Sequence, residues 1–129
     1  MLLDTSIIID LFKGDHDILS ILDAQEFIFL PAAALGELYL GAYRSSNIVK
    51  HLSQIQSFVS ECEFLPVDAE TAKQYAIIKS DLLLKGKPIP ENDIWIAATA
   101  KQYQLAIFTK DKHFTLIDGI NIFGNNPAN

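Results

Sequence analysis

Four carboxylates stand where exposure to solvent alone does not account for them: Asp4, Glu37, Asp93 and Asp111. Asp4 directly follows Leu2 and Leu3 in "MLLDTSIIIDLF", at the end of a segment that reads as a buried strand. An uncompensated charge there costs several kcal/mol, so something must pair with it. Asp111 follows the strand-like "LAIFT" in the same way. Glu37 lies inside "AAALGELYLGAYR", with Ala33, Ala34 and Gly41 three or four residues away, so small side chains leave its carboxylate approachable. Gly36 and Gly41 each weaken a helix by roughly 1 kcal/mol relative to alanine, which points to a packing or access requirement. Asp93 sits in the first turn after Pro90 and heads the apolar run "IWIAATA". Thr5, Ser6, Asn92 and Thr109 lie close enough in sequence to orient a carboxylate or a water. Each acid also has an ordinary reading. Asp4 and Asp111 could be caps, Glu37 a solvated glutamate, and Glu91 and Asp93 first-turn acids favoured by the helix dipole.

The elements that must position these groups alternate. "LLDTS" reads as a short strand turning into a helix "IIIDLFKG", capped by Thr5 or Ser6 and closed at Gly14. "DHDILSILDA" carries Ile18, Leu19 and Leu22 at helical spacing. "EFIFLP" is a strand closed by Pro31. Two helices follow, "AAALGELYLGAYR" and "NIVKHLSQIQSFVSEC", the second with an apolar stripe of Ile48, Leu52, Ile55 and Val59. "EFLPV" is extended. "DAETAKQYAIIKSDLLLKG" runs from a capping Asp68 to Gly86. "PENDIWIAATAKQYQ" is a helix, "LAIFT" a strand and "INIFG" a last strand. Short strands alternating with helices predict an α/β fold, a three-layer α/β/α sandwich around a short parallel sheet. In such sheets ligands bind beyond the carboxyl ends of the strands, which is where Asp4 and Asp111 would project.

A chain of 129 residues, half of them hydrophobic and a fifth charged, is one folded domain. The expected boundaries are residues 1–124 for the domain and 125–129 for a flexible tail. The apolar runs fall short of a membrane span, no secretory signal is visible, and the lone Cys62 excludes an internal disulfide, so a cytoplasmic address is expected. A net charge of −6 excludes a passive nucleic-acid coat but not an enzyme that meets a polyanion through metal ions.

Taken together, "LLDTSIIID", "ALGELYLGA", "PENDIWIAATA" and "IFTKDKHF" resemble the acidic signature of the PIN-domain nucleases, closest in length and spacing to VapC-type toxins of bacterial toxin–antitoxin pairs. The resemblance spans nearly the whole chain. One departure is "PAAALGE", where many relatives carry a hydroxyl residue before the helical glutamate. The resemblance implies that Asp4, Glu37, Asp93 and Asp111 converge as catalytic and metal-binding residues of an endoribonuclease. Carboxylates so crowded repel one another unless a cation neutralises them. Without thiolates, and with His16, His51 and His113 scattered, an oxygen-only set suits Mg²⁺ or Mn²⁺. Activated water would then attack the phosphate in line.

The resemblance also implies an RNA substrate and an antitoxin whose amphipathic segment covers a groove and brings a cation towards the acids. The stripes of the second and fourth helices offer surface for a homodimer. Three alternatives stay open: a solitary PIN-type RNA-processing nuclease, a receiver- or phosphatase-like domain that handles phosphate, and a non-catalytic binding module. A phosphatase of that kind wants aspartate where Ser6 stands, and a receiver wants an aspartate where "EFIFLP" ends in proline. His113 is read as an exposed loop residue, Trp95, Phe58 and Phe114 as core or interface, and Asp10, Asp15 and Asp17 as a solvated face.

Overall fold

The computed structural model describes residues 1–124, so the expected tail lies outside the described residues. Four short strands, β1 (Leu2–Leu3), β2 (Phe29–Pro31), β3 (Glu63–Leu65) and β4 (Ile107–Phe108), form one sheet in the order β3-β2-β1-β4. Every pairing is parallel, with Leu2 opposite Phe29 on one side and Ile107 on the other. Between them run α1 (Thr5–Phe12), α2 (His16–Asp23), α3 (Ala32–Tyr43), α4 (Ile48–Val59), α5 (Ala69–Lys85) and α6 (Glu91–Tyr103), and a 3₁₀ turn follows at Lys112–Leu116.

The connections explain the layers. The chain steps from β1 through β2 to β3 by way of α1–α4, moving one way across the sheet. It then returns past β2 and β1 to the far edge by way of α5 and α6. Parallel crossovers keep one hand, so the two sets of helices cover opposite faces. Leu2, Leu3, Leu30 and Ile107 are wholly buried between them, with Ile7 and Ile8 of α1 and Ile94, Ile96 and Ala97 of α6. The expected α/β/α class is the observed one.

Three local expectations are corrected. The predicted strand "INIFG" is a single parallel bridge between Ile107 and Ile122, with Phe123 N donating to Ile107 O at 2.8 Å. Thr5 and Ser6 do not cap α1. Asp4 does, its Oδ1 accepting from Thr5 N at 2.8 Å, because the chain turns helical immediately after Leu3. The apolar stripes of α2 and α4 are spare surface only in part, since Ile18, Leu22 and Ile55 are core residues while Leu19 and Ile48 are exposed. Further exposed apolar surface lies at Leu83 and Leu84 of α5, 69% and 86% exposed, and at Val49 of α4. By contrast, the Asp68 cap and Gly86 stop of α5 stand as read. Asp68 and Thr71 form a reciprocal capping box, and Gly86 takes φ +65°, which glycine adopts without penalty.

Candidate active site

Asp4 leaves the carboxyl end of β1 and Thr109 that of its neighbour β4; from β1 the chain crosses towards β2, and from β4 it turns the other way to the bridge at Ile122. That reversal opens a crevice at the strand ends, the usual ligand site of such sheets. Asp4 is only 4% exposed, and its compensation is visible. Oδ1 accepts from Thr5 N, while Oδ2 accepts from Ser6 Oγ at 2.9 Å and from Thr109 Oγ1 at 2.7 Å. Asp4 is therefore both a helix cap and a held carboxylate. With two acceptor positions per oxygen, Oδ2 is filled and Oδ1 keeps one lone pair.

Thr109 also accepts from Asp111 N at 2.9 Å. This turns the chain into the 3₁₀ segment, where Asp111 Oδ1 accepts from His113 N at 2.9 Å and stands 2.9 Å from His113 Nδ1. Asp93 enters from the first turn of α6, buried among the other acids. Its neighbour Glu91 turns the other way and binds Tyr75 and Lys79 of α5, so only Asp93 faces the crevice. Tyr75 also stacks on Trp95 with ring centroids 4.1 Å apart, fixing the start of α6 against α5. Glu37 comes from the middle of α3.

The electrostatics report the convergence. Burial, then the charges of Asp4, Asp111 and Glu37, push the Asp93 carboxyl from its ordinary 3.8 up to about 6. Burial and the charge of Asp4 raise Glu37 as well, opposed by the Asn92 amide and the Thr5 hydroxyl. The Thr5 hydroxyl is near enough to Glu37 to favour its charge, yet it lies outside hydrogen-bonding geometry. Its buried Oγ1 has no partner among the described residues.

These residues fit a hydrated divalent cation. Ligand atoms of Asp93, Asp111 and His113 lie within 4.8 Å of one another, a span that an octahedral ion with ligands at about 2.1 Å bridges with small side-chain shifts. The hydration shell of such an ion would also give Thr5 Oγ1 the partner it lacks, where an orphaned hydroxyl costs about 1–3 kcal/mol. Asp4, Glu37, Asp93 and Asp111 are carboxylates, the donor type that hard divalent cations take.

His113 is the residue that sequence reading set aside. It is half-exposed as expected, but it belongs to this cluster. The signal was the Asp-x-His spacing, which a 3₁₀ turn folds into contact. Phe114, next to it, is wholly buried core, as expected. Asp10 and Asp15 are less free than the solvated face predicted. Asp10 pairs with Lys110 at 2.9 Å, and Asp15 caps α2. Asp17 is exposed.

Comparison with known proteins agrees with this geometry. The PIN domain model matches residues 1–120. Ribonuclease VapC5 of Mycobacterium tuberculosis is 33% identical over 88 residues, covering 66% of this chain and 64% of that one. Ribonuclease VapC2 of Haemophilus influenzae is 31% identical over 112 residues, 85% of each chain. Among solved structures, VapBC-5 of M. tuberculosis, described as a member of the VapBC family of toxin–antitoxin systems, superimposes with a TM-score of 0.72 at 28% identity, covering 93% of this chain and 91% of that chain. With the family model spanning nearly the whole chain and the four acids brought together at the strand ends, this protein belongs to the PIN domain family.

Proposed function

We propose that this chain is the ribonuclease toxin of a toxin–antitoxin pair, hydrolysing RNA phosphodiester bonds with Mg²⁺ or Mn²⁺ held by Asp4, Glu37, Asp93 and Asp111. The observation that carries the reading is the convergence of these acids, which burial and mutual repulsion leave with Asp93 raised to about 6. Such a pocket is poorly matched to a neutral ligand and well matched to a cation. The ribonuclease relatives support RNA as substrate, and the toxin–antitoxin assembly supports an antitoxin partner.

A bound divalent cation supplies Lewis acidity and offsets charge on the phosphate and the leaving oxygen. The chain's own residues supply the arrangement. Thr109 ties Asp4 to Asp111 across β1 and β4, and Ser6 locks the outer oxygen of Asp4. Asn92 and Thr5 favour the ionised form of Glu37. Hydrolysis adds one water across a P–O bond, leaving a phosphate on one fragment and a hydroxyl on the other. The bulk charge of −6 repels RNA, so affinity must come from the cation and from local bases such as Lys13 and Lys112.

The nuclease unit takes in residues 1–124. An antitoxin cation placed among the four acids would replace the metal and silence the site. An intact acidic set speaks against the non-catalytic alternative. Among the described residues, no helix is long and apolar enough to cross a membrane, and an RNA substrate implies a cytoplasmic address. The test is RNA cleavage by the purified chain, dependent on Mg²⁺ or Mn²⁺ and abolished by chelation. Cleavage that persists in chelator would overturn the metal reading. Co-purification with the product of an adjacent gene tests the pairing.

A further inference from the structure

His113 brings an imidazole to the exposed edge of an otherwise carboxylate pocket. Its backbone is held there, because Asp111 caps the 3₁₀ turn at Lys112–Leu116 and the neighbouring Phe114 is wholly buried. The ring itself is half-exposed.

Asp111 Oδ1 accepts from His113 N at 2.9 Å, which takes one of its two acceptor positions. Nδ1 of the same histidine stands 2.9 Å from that oxygen. Lys110 does not compete for Asp111, since its Nζ lies 2.9 Å from Asp10 and 3.8 Å from Asp15. In an octahedral shell with ligands at about 2.1 Å, adjacent ligand atoms are about 3.0 Å apart and opposite ones about 4.2 Å. The Asp111–His113 separation matches the adjacent edge, and Asp93 adds a ligand atom within 4.8 Å of one from each. Thr5 points independently to a guest. It is 5% exposed, stands beside Glu37, and its Oγ1 lacks a partner among the described residues.

We infer that the His113 imidazole is a direct ligand of the divalent cation, so that the site holds a mixed oxygen–nitrogen set and prefers a transition-metal ion to Mg²⁺. The inference rests on the metal-dependent nuclease reading and deepens it by naming the class of ion. A neutral ring binds through Nδ1 with its proton on Nε2, which the half-exposed ring keeps in water. Imidazole adds little for Mg²⁺, which takes oxygen ligands and holds its waters. It adds more for later first-row ions such as Co²⁺, with Mn²⁺ at the weak end of that series.

His113→Ala removes the imidazole and keeps the backbone N–H that Asp111 accepts, so in chelator it should melt as wild type does. Calorimetric titration of Mg²⁺, Mn²⁺ and Co²⁺ into both proteins reads the preference. The ratio of Co²⁺ to Mg²⁺ affinity should fall about tenfold or more in the variant, with Mg²⁺ affinity itself little changed. Pulsed EPR of the Mn²⁺-loaded wild type should show modulation from a bound imidazole nitrogen, and His113→Ala should lose it. Neither readout needs cleavage. An unchanged Co²⁺ to Mg²⁺ ratio, with all three ions weakened alike, would overturn the inference and leave His113 orienting Asp111 from outside the ligand shell. Metal binding without the nitrogen signal would overturn it too. A wild type that binds none of the three ions would overturn the metal-dependent nuclease reading along with it.

Discussion

The Thr109 hydroxyl donates to Asp4 Oδ2 at 2.7 Å and accepts from Asp111 N at 2.9 Å, joining residues 105 positions apart across the ends of two neighbouring strands. One hydroxyl thus sets the separation of two site carboxylates. Thr109→Val keeps the shape and removes both bonds. It should weaken Mn²⁺ binding about 10- to 100-fold, in line with the loss of other groups that hold metal ligands. Thr109→Ser should retain most of the affinity. Calorimetric titration of Mn²⁺ into the three proteins checks this, and equal affinities would remove Thr109 from the site's support.

Asp4 has two roles, and Asp4→Asn separates them. Asparagine still caps α1, but its amide nitrogen cannot accept from both Ser6 and Thr109, which offsets the relief of charge repulsion. The metal-free variant should therefore melt close to wild type. At about a hundred times the dissociation constant, metal should stabilise wild type by roughly 2.7 kcal/mol and the variant much less. Thermal melts with chelator and with Mn²⁺ read the difference. Equal metal-induced shifts would exclude Asp4 from the metal site.

Asp93 gives the pH dependence. Its folded-state pKa of about 6 exceeds its ordinary 3.8, so between these values the folded chain binds more protons than the unfolded one. Stability of the metal-free protein should therefore fall as pH rises from about 4 through 6. Glu37, raised by burial and by Asp4, acts in the same direction. Metal competes with the Asp93 proton, so Mn²⁺ affinity should drop as pH falls below about 6. Asp93→Asn should flatten the stability profile of the metal-free protein. A profile equally steep in the variant would assign the slope to other groups.

Leu83 and Leu84 present the most exposed large apolar pair on α5. If that surface joins two copies, light scattering should give twice the 14.4 kDa chain mass, and Leu84→Glu should return it to the monomer. A wild-type monomer at high concentration would remove self-association.

The alternation of elements was legible because Pro31, Asp68, Gly86 and Pro90 punctuate it strongly. "INIFG" was misread because its β-propensity is real but its pairing reduces to one bridge beside β4. The exposed apolar surface of α2 and α4 was legible only in part, because helical periodicity reveals an apolar face but not which neighbour covers it. In this chain α1 and α3 pack with α2 and α4, and α5 packs on α6 through Ile78 and Leu82 while Leu83 and Leu84 face outward. Asp4, Asp93 and Asp111 stand out by position, since strand ends and an apolar helix start are unusual places for charge, and Glu37 stands out by the small residues around it. Asp4's double role, the Thr109 bridge and the approach of His113 depend on side-chain geometry across the fold, which spacing along the chain does not specify.

The most direct test compares RNA cleavage by wild type and Asp93→Asn, each with Mn²⁺ and with chelator. The acidic pocket as a metal-dependent nuclease centre predicts cleavage only by wild type with metal, and a loss of orders of magnitude in the variant with an unchanged far-UV spectrum. Equal cleavage by a folded Asp93→Asn, or cleavage by wild type in chelator, would contradict it.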